Sequence, residues 1–181
     1  DLGTGGGDIA GAHDINEAGE ITGTTYVVPD ADEPYLPFRV TSNGVFQVIT
    51  NVLGGLNGEA AGINESGRIV GSAEVALGSF ETVAFYADSD NVMRPLGTFG
   101  GIESRAEGIS DAGSIVGSAR LENGELRAFR HMVAGPLNAS TDNLGTLLGT
   151  DLLVVSTGKV NALADPGGAA AVRRAVRYLV R

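Results

Sequence analysis

The chain's stock of reactive groups is two histidines and 22 carboxylates, with no cysteine. His13 is followed by Asp14, and a carboxylate beside an imidazole is how a triad base is oriented. No nucleophile elbow surrounds the pair, so a turn or surface histidine is the better reading. His131 stands apart, near no comparable motif. Paired acids for glycoside hydrolysis are available in number, yet position singles out none of them. We therefore expect no catalytic residues and no enzyme activity. Two acidic loops suit another chemistry. Asp30-Ala31-Asp32-Glu33 and Asp88-Ser89-Asp90-Asn91 alternate carboxylates through short turns. Asp30, Asp32, Asp88 and Asp90 could offer oxygens to Ca²⁺, which needs six to eight of them. Neither loop has the distal Glu of a full calcium loop, and solvated turns are the preferred reading. We expect no cofactor, Ca²⁺ being the one these loops would suit. Gly3-Thr4-Gly5-Gly6-Gly7 imitates a phosphate loop, but no helix and no well-placed Lys follow it.

The elements that would position these groups come from an internal repeat. Glu107-Gly108-Ile109-Ser110-Asp111-Ala112-Gly113-Ser114-Ile115-Val116-Gly117-Ser118 has a close copy beginning at Ala61 and a looser one beginning at His13. The shared form is Ile-(Asn/Ser)-(Glu/Asp)-x-Gly-x-Ile-x-Gly. Two apolar runs flank a polar turn, which is a β-hairpin signature. The structural turn residues are Asn16, Gly19 and Gly23, then Asn64, Gly67 and Gly71, then Ser110, Gly113 and Gly117. Gly67 and Gly113 are expected to take positive φ. Glu17, Glu65 and Asp111 share one turn position, where they would line one rim of a propeller and could meet a cation or sugar. A merely polar turn explains them as well.

The central Ile residues, Ile15, Ile63 and Ile109, lie 48 and 46 positions apart. A Leu-Gly marker precedes each hairpin at Leu2, Leu53 and Leu96, and recurs at Leu144. An aromatic marker follows each hairpin, at Phe38, Phe85 and Phe129, and we expect these three to pack between repeats. Four short antiparallel strands in each 40–50 residues describe a propeller blade. In the second repeat the strands are expected near 60–64, 68–73, 82–86 and 92–96.

The expected architecture is therefore all-β and β-propeller-like, with three clear blades, a degenerate fourth and a short C-terminal helix. One β-repeat domain spans 1–165, with repeats at about 1–52, 53–95, 96–143 and 144–165. Residues 166–181 read as a basic amphipathic helix: Val172, Val176 and Leu179 fall on one face, and Asp165-Pro166 offers a start signal.

Leu96-Gly97-Thr98-Phe99-Gly100-Gly101, the hairpin Gly62-Ile63-Asn64-Glu65-Ser66-Gly67-Arg68-Ile69-Val70-Gly71 and the Ala-Phe marker together resemble the HAF family of probable extracellular bacterial repeats. The resemblance covers about residues 1–146. The His that gives the family its name is absent here: Val83 and Arg127 precede Ala-Phe, and the first copy reads Leu36-Pro37-Phe38. The resemblance implies export, an extracellular or cell-surface location and a propeller-like fold. It implies no activity.

Charge bounds the partners. The net charge of −10 argues against nucleic acid. No apolar run approaches the roughly 18 residues of a membrane helix. The start at Asp1, without Met or signal peptide, is read as a processed mature chain or an excised fragment. All 22 acids precede Pro166, whereas Arg173, Arg174, Arg177 and Arg181 gather at the end. Such a basic segment can lie on an anionic membrane or dock on an acidic protein surface, its own or a neighbour's, and the protein surface is the preferred reading.

The expected function is a non-catalytic structural, self-assembling or adhesive protein. It would form a homo-oligomer or filament through edge strands and the C-terminal helix, with those four arginines assisting. The alternatives are a surface module for glycan or calcium, and a propeller-type glycan hydrolase or lyase. Absent Trp and 6% aromatic residues weaken a sugar-stacking platform.

Overall fold

The structure is a computed structural model that describes residues 1–7, 9–26, 34–50, 53–132 and 136–145. Eleven strands are present among them and no helix. The first repeat supplies β1 (Ile9–Ile15), β2 (Ile21–Tyr26), β3 (Tyr35–Val40) and β4 (Phe46–Val48), paired in that order as an antiparallel meander. The second supplies β5 (Gly58–Ile63), β6 (Ile69–Glu74), β7 (Thr82–Ala87) and β8 (Met93–Gly97), paired the same way. The third supplies β9 (Gly100–Ile109), β10 (Ser114–Leu121) and β11 (Leu126–Met132). A single parallel bridge, Thr82 with Glu103, joins the second and third sheets. Among the described residues no strand pairs back onto β1, so they contain no closed barrel. Residues 146–181, expected to hold most of the degenerate repeat and the terminal helix, lie outside the described residues, as do Asp30, Asp32, Arg173, Arg174, Arg177 and Arg181.

Each repeat's first hairpin is built identically. Gly19, Gly67 and Gly113 have φ of +79°, +74° and +83°. Their N–H groups donate back to Asn16, Asn64 and Ser110 carbonyls at 3.0, 2.9 and 2.9 Å. Only Gly takes this left-handed conformation without a steric cost. The first strand then carries a bulge at the same place each time. Pairing skips His13 in β1, Ala61 in β5 and Glu107 in β9.

Gly23, Gly71 and Gly117, read from the sequence as turn residues, are not in turns. They lie inside β2, β6 and β10, opposite the bulges. There the carbonyls of Gly11, Glu59 and Arg105 press against the glycines so closely that a Cβ would sit 1.9, 1.9 and 2.0 Å away. On the other side, each glycine is paired with an aromatic marker: Gly23 with Phe38, Gly71 with Phe85, Gly117 with Phe129. The bulge and the ring both demand the absence of a side chain.

The core lies between sheets as well as within them. Phe85 packs in one cluster with Ile49 of the first repeat and Ala60, Ile63 and Ile69 of its own. Phe129 shares a second cluster with Val70, Ala84 and Leu96 from the preceding sheet. Phe38 is also buried and stacks on Phe46, with ring centroids 4.5 Å apart.

Candidate functional site

The groups brought together most regularly are the three hairpin turns, which stack into a ladder. Asn16 Nδ2 donates to the Asn64 carbonyl at 3.1 Å, and Asn64 Nδ2 donates to the Ser110 carbonyl at 3.1 Å. Glu17 N–H donates to Glu65 Oε1 at 2.8 Å, and Glu65 N–H donates to Asp111 Oδ1 at 3.1 Å. Each turn therefore gives its backbone donor to the carboxylate of the next. Ile63 N–H also donates to Asp14 Oδ2, and His13 Nδ1 lies 2.5 Å from the Ala60 carbonyl. The His13-Asp14 pair thus joins the first repeat to the second, with its two side chains on separate backbone partners. The rim position from the sequence is a run of acids, two of which are already held by N–H groups.

The second acidic loop is likewise occupied. Asp88 Oδ1 receives Arg68 Nε at 2.7 Å, and Asp90 Oδ2 receives Arg94 Nη2 at 2.5 Å. The Arg94 hydrogen bonds hold the Asp90 pKa down at about 2, with help from the Val92 N–H. Arg68 and Arg94 both lie over the Tyr86 ring, 5.0 and 5.8 Å from its centroid. Arg39, reaching from the first sheet, donates to Asn91 Oδ1 at 2.9 Å and to the Asp88 carbonyl at 3.1 Å. It is 2% exposed, and burial lowers its pKa against the opposing pull of Glu20. These oxygens serve an arginine-bound joint between repeats. Among the described residues no three His, Cys, Asp or Glu side chains gather to hold a metal.

A further chain of charge crosses between the second and third sheets. Glu59 pairs with Arg105 at 3.0 Å, Arg105 with Glu103 at 3.0 Å, and Glu103 with Arg120 at 2.8 Å. The Arg105 hydrogen bond is the main reason the Glu103 carboxyl sits below its ordinary pKa. Exposed pairs of this kind add little stability each but fix register.

His131 is the one buried histidine. Its Nδ1 lies 2.9 Å from Asp142 Oδ2, and its Nε2 is buried with no hydrogen-bond partner among the described residues. Asp142 also accepts from Asn138 N–H at 2.8 Å, which ties residues 138–142 to β11. A shallow cavity of about 300 Å³ opens here beside Arg130, Met132 and Thr141.

Burial along the repeat identifies the surface left open. Ile63 is 5% exposed because the first sheet covers β5, and Ile15, its counterpart in β1, is 61% exposed. Ile9 at the other end of β1 is 62% exposed. The sequence did not mark this difference, because the three Ile residues occupy identical motifs. No helix among the described residues is long and apolar enough to cross a membrane. The chain matches no protein-family model, and no curated protein is significantly similar to it. The likeness to HAF repeats therefore rests on the quoted motifs alone.

Proposed function

We propose that this chain is a non-catalytic β-repeat scaffold that self-associates at the cell exterior, with its successive sheets arranged as propeller-like blades. The uncovered face of β1 carries the reading. Ile63 is buried where the first sheet covers β5, and β1 presents the equivalent face, with Ile15, and nothing on it among the described residues. Covering one Ile side chain fully is worth about 1.5–3 kcal/mol, so β1 offers real association energy. The outer edges are guarded by comparison. Strand β4 is three residues long, β8 carries Pro95, and Asn143 bridges to β11. Export accompanies the HAF resemblance, and the structural or adhesive role rests on the repeats and the acidic composition.

The test is sedimentation velocity over a concentration series at low salt, on the parent chain and on Ile15→Lys. The parent should associate as concentration rises, and the variant should remain folded and monomeric, since Ile15 is exposed in one copy. A parent that stays monomeric at the highest concentration would sink this reading.

A further inference from the structure

We propose that the open face of β1 and β2 in one copy docks on the open face of β10, β11 and residues 142–144 in a second copy. The pairing rests on the self-association proposed above and names the surface that receives β1. The chain already makes this joint twice. Ile49 of the first repeat shares a cluster with Ala60, Ile63 and Ile69 of the second. Leu96 and Val70 of the second share a cluster with Ala106 and Ile115 of the third, and Ile109 packs against it. Ala60, Ile63 and Ile69 lie 46 residues before Ala106, Ile109 and Ile115, so equivalent positions form both joints. In each, the face that closes one repeat meets the face that opens the next, and the two faces are unlike.

Both faces recur uncovered among the described residues. On the opening face of the first repeat the counterparts are Ala12, Ile15 and Ile21, 48 residues before Ala60, Ile63 and Ile69. Ala12 and Ile15 are exposed and Ile21 is half-buried, where Ala60 and Ile69 are fully buried. Strand pairing locates the closing face of the third repeat. Ile49 follows Val48, which pairs with Phe38, and Leu96 follows Pro95, which pairs with Phe85. Leu144 follows Asn143, which bridges to Phe129 in the same way. Ile49 N–H and Leu144 N–H donate to the Pro37 and Ala128 carbonyls, each one residue before its aromatic marker. Ile49 and Leu96 are both 0% exposed, whereas Leu144 is 54% exposed. Val116, the counterpart of the fully buried Val70, is only half-buried. Covering these side chains is the apolar driving force for the contact.

The polar contacts of the joint also have their matching groups. Glu17 N–H and Glu65 N–H each donate to the carboxylate of the next turn, and Asp111 N–H has no acceptor among the described residues. Glu17 of the second copy offers that carboxylate. Arg39 Nη2 donates to the Asp88 carbonyl, three residues after Phe85. Arg130 follows Phe129 as Arg39 follows Phe38, and it is exposed. The Thr41 carbonyl, three residues after Phe38, stands at the place of the Asp88 carbonyl, and each accepts the N–H that closes its turn. One rung is lost, because Ser110 has no side-chain amide to donate to the Asn16 carbonyl. A contact of β1 with β1 would use none of the closing-face groups.

Sedimentation velocity on the full chain, on its Ile15→Lys and Leu144→Lys variants and on a mixture of the two tests the pairing. Both residues are exposed in one copy, so both variants should keep the parent's far-UV circular dichroism and urea midpoint. The parent should grow past a dimer as concentration rises, because each copy carries both faces. Each variant alone should need about tenfold more protein, or beyond, to associate, since one of its faces is spoiled. An equimolar mixture should form dimers at the parent's concentration, through Leu144 of the Ile15→Lys copy and Ile15 of the Leu144→Lys copy. A Leu144→Lys chain that associates like the parent would overturn the pairing and leave self-association standing, with another surface receiving β1. A mixture no more associated than its components would overturn it too. A parent that stays monomeric would instead remove the association itself, and the pairing with it.

Discussion

Gly71→Ala should be among the most damaging single methyl groups that can be added to this protein, with its counterparts at Gly23 and Gly117. The new Cβ would lie 1.9 Å from the Glu59 carbonyl oxygen and 2.9 Å from Ala60 Cα, where ordinary contact begins at 3.4 Å. Backbone would have to retreat by about 1.5 Å to restore contact distance. It cannot retreat towards β7, because Phe85 is paired with Gly71 and fully buried there. Overfilling a packed site usually costs about 1–3 kcal/mol, and this clash is with backbone on a bulge, so the top of that range applies. The expected loss is about 3 kcal/mol, or roughly 6–12 °C in Tm for a chain of this size. Gly78→Ala is the control. Gly78 has φ +69° and nothing within 4 Å of a built Cβ, so only the left-handed backbone is penalised, at about 1 kcal/mol. Urea denaturation followed by far-UV circular dichroism gives both values, provided the transitions are two-state with equal m-values. A Gly71→Ala chain no less stable than Gly78→Ala would refute the bulge packing described here.

Gly67→Val and Gly113→Val should each destabilise by about 1–3 kcal/mol, because a β-branched residue is poorly accommodated at positive φ; unchanged urea midpoints for both would remove the hairpin assignment. The carboxyl carbon of Asp90 should titrate by NMR at about 2 and move up towards 3.8 in Arg94→Gln. Since folding depresses this pKa, its stabilising contribution is present above pH 3.8 and is lost as pH falls through 2; an unshifted titration in the parent would contradict the ion pair. Calorimetry should find no micromolar Ca²⁺ site, because Asp88 and Asp90 are already bound by Arg68 and Arg94; such a site, lost in the Asp88→Asn, Asp90→Asn double variant, would show otherwise.

The hairpins were legible because their determinants are local. A Gly three residues after an Asn or Ser, between apolar runs, specifies a turn without reference to anything distant. The strands expected near 60–64, 68–73, 82–86 and 92–96 are β5 to β8 to within two residues. What was hidden depends on pairs 12 or more residues apart. Gly71 looks like any glycine after Ile69-Val70, and its confinement is visible only once Glu59 and Phe85 are set on either side of it. The turn ladder joins residues 46 and 48 positions apart, so period alone gave the equivalence of Glu17, Glu65 and Asp111 but not the bonds between them. Arg39 reads as an ordinary surface arginine in the sequence. Its burial follows from the place of the second repeat's loop, which pattern does not report.

The turn ladder also gives the molecule a direction. In each turn-to-turn rung the N–H of one turn goes to the carboxylate of the next, so the two ends of the ladder are chemically unlike, although beside it Ile63 N–H runs the other way, to Asp14. Among the described residues the stack ends at Glu17 in a carboxylate and at Asp111 in an amide with no acceptor. Two copies joined by the same contact must therefore line up tail to head, never face to face about a twofold axis. Addition would be vectorial, and the two ends of a growing stack would accept different caps: a cationic or N–H-rich partner at one, an anionic one at the other.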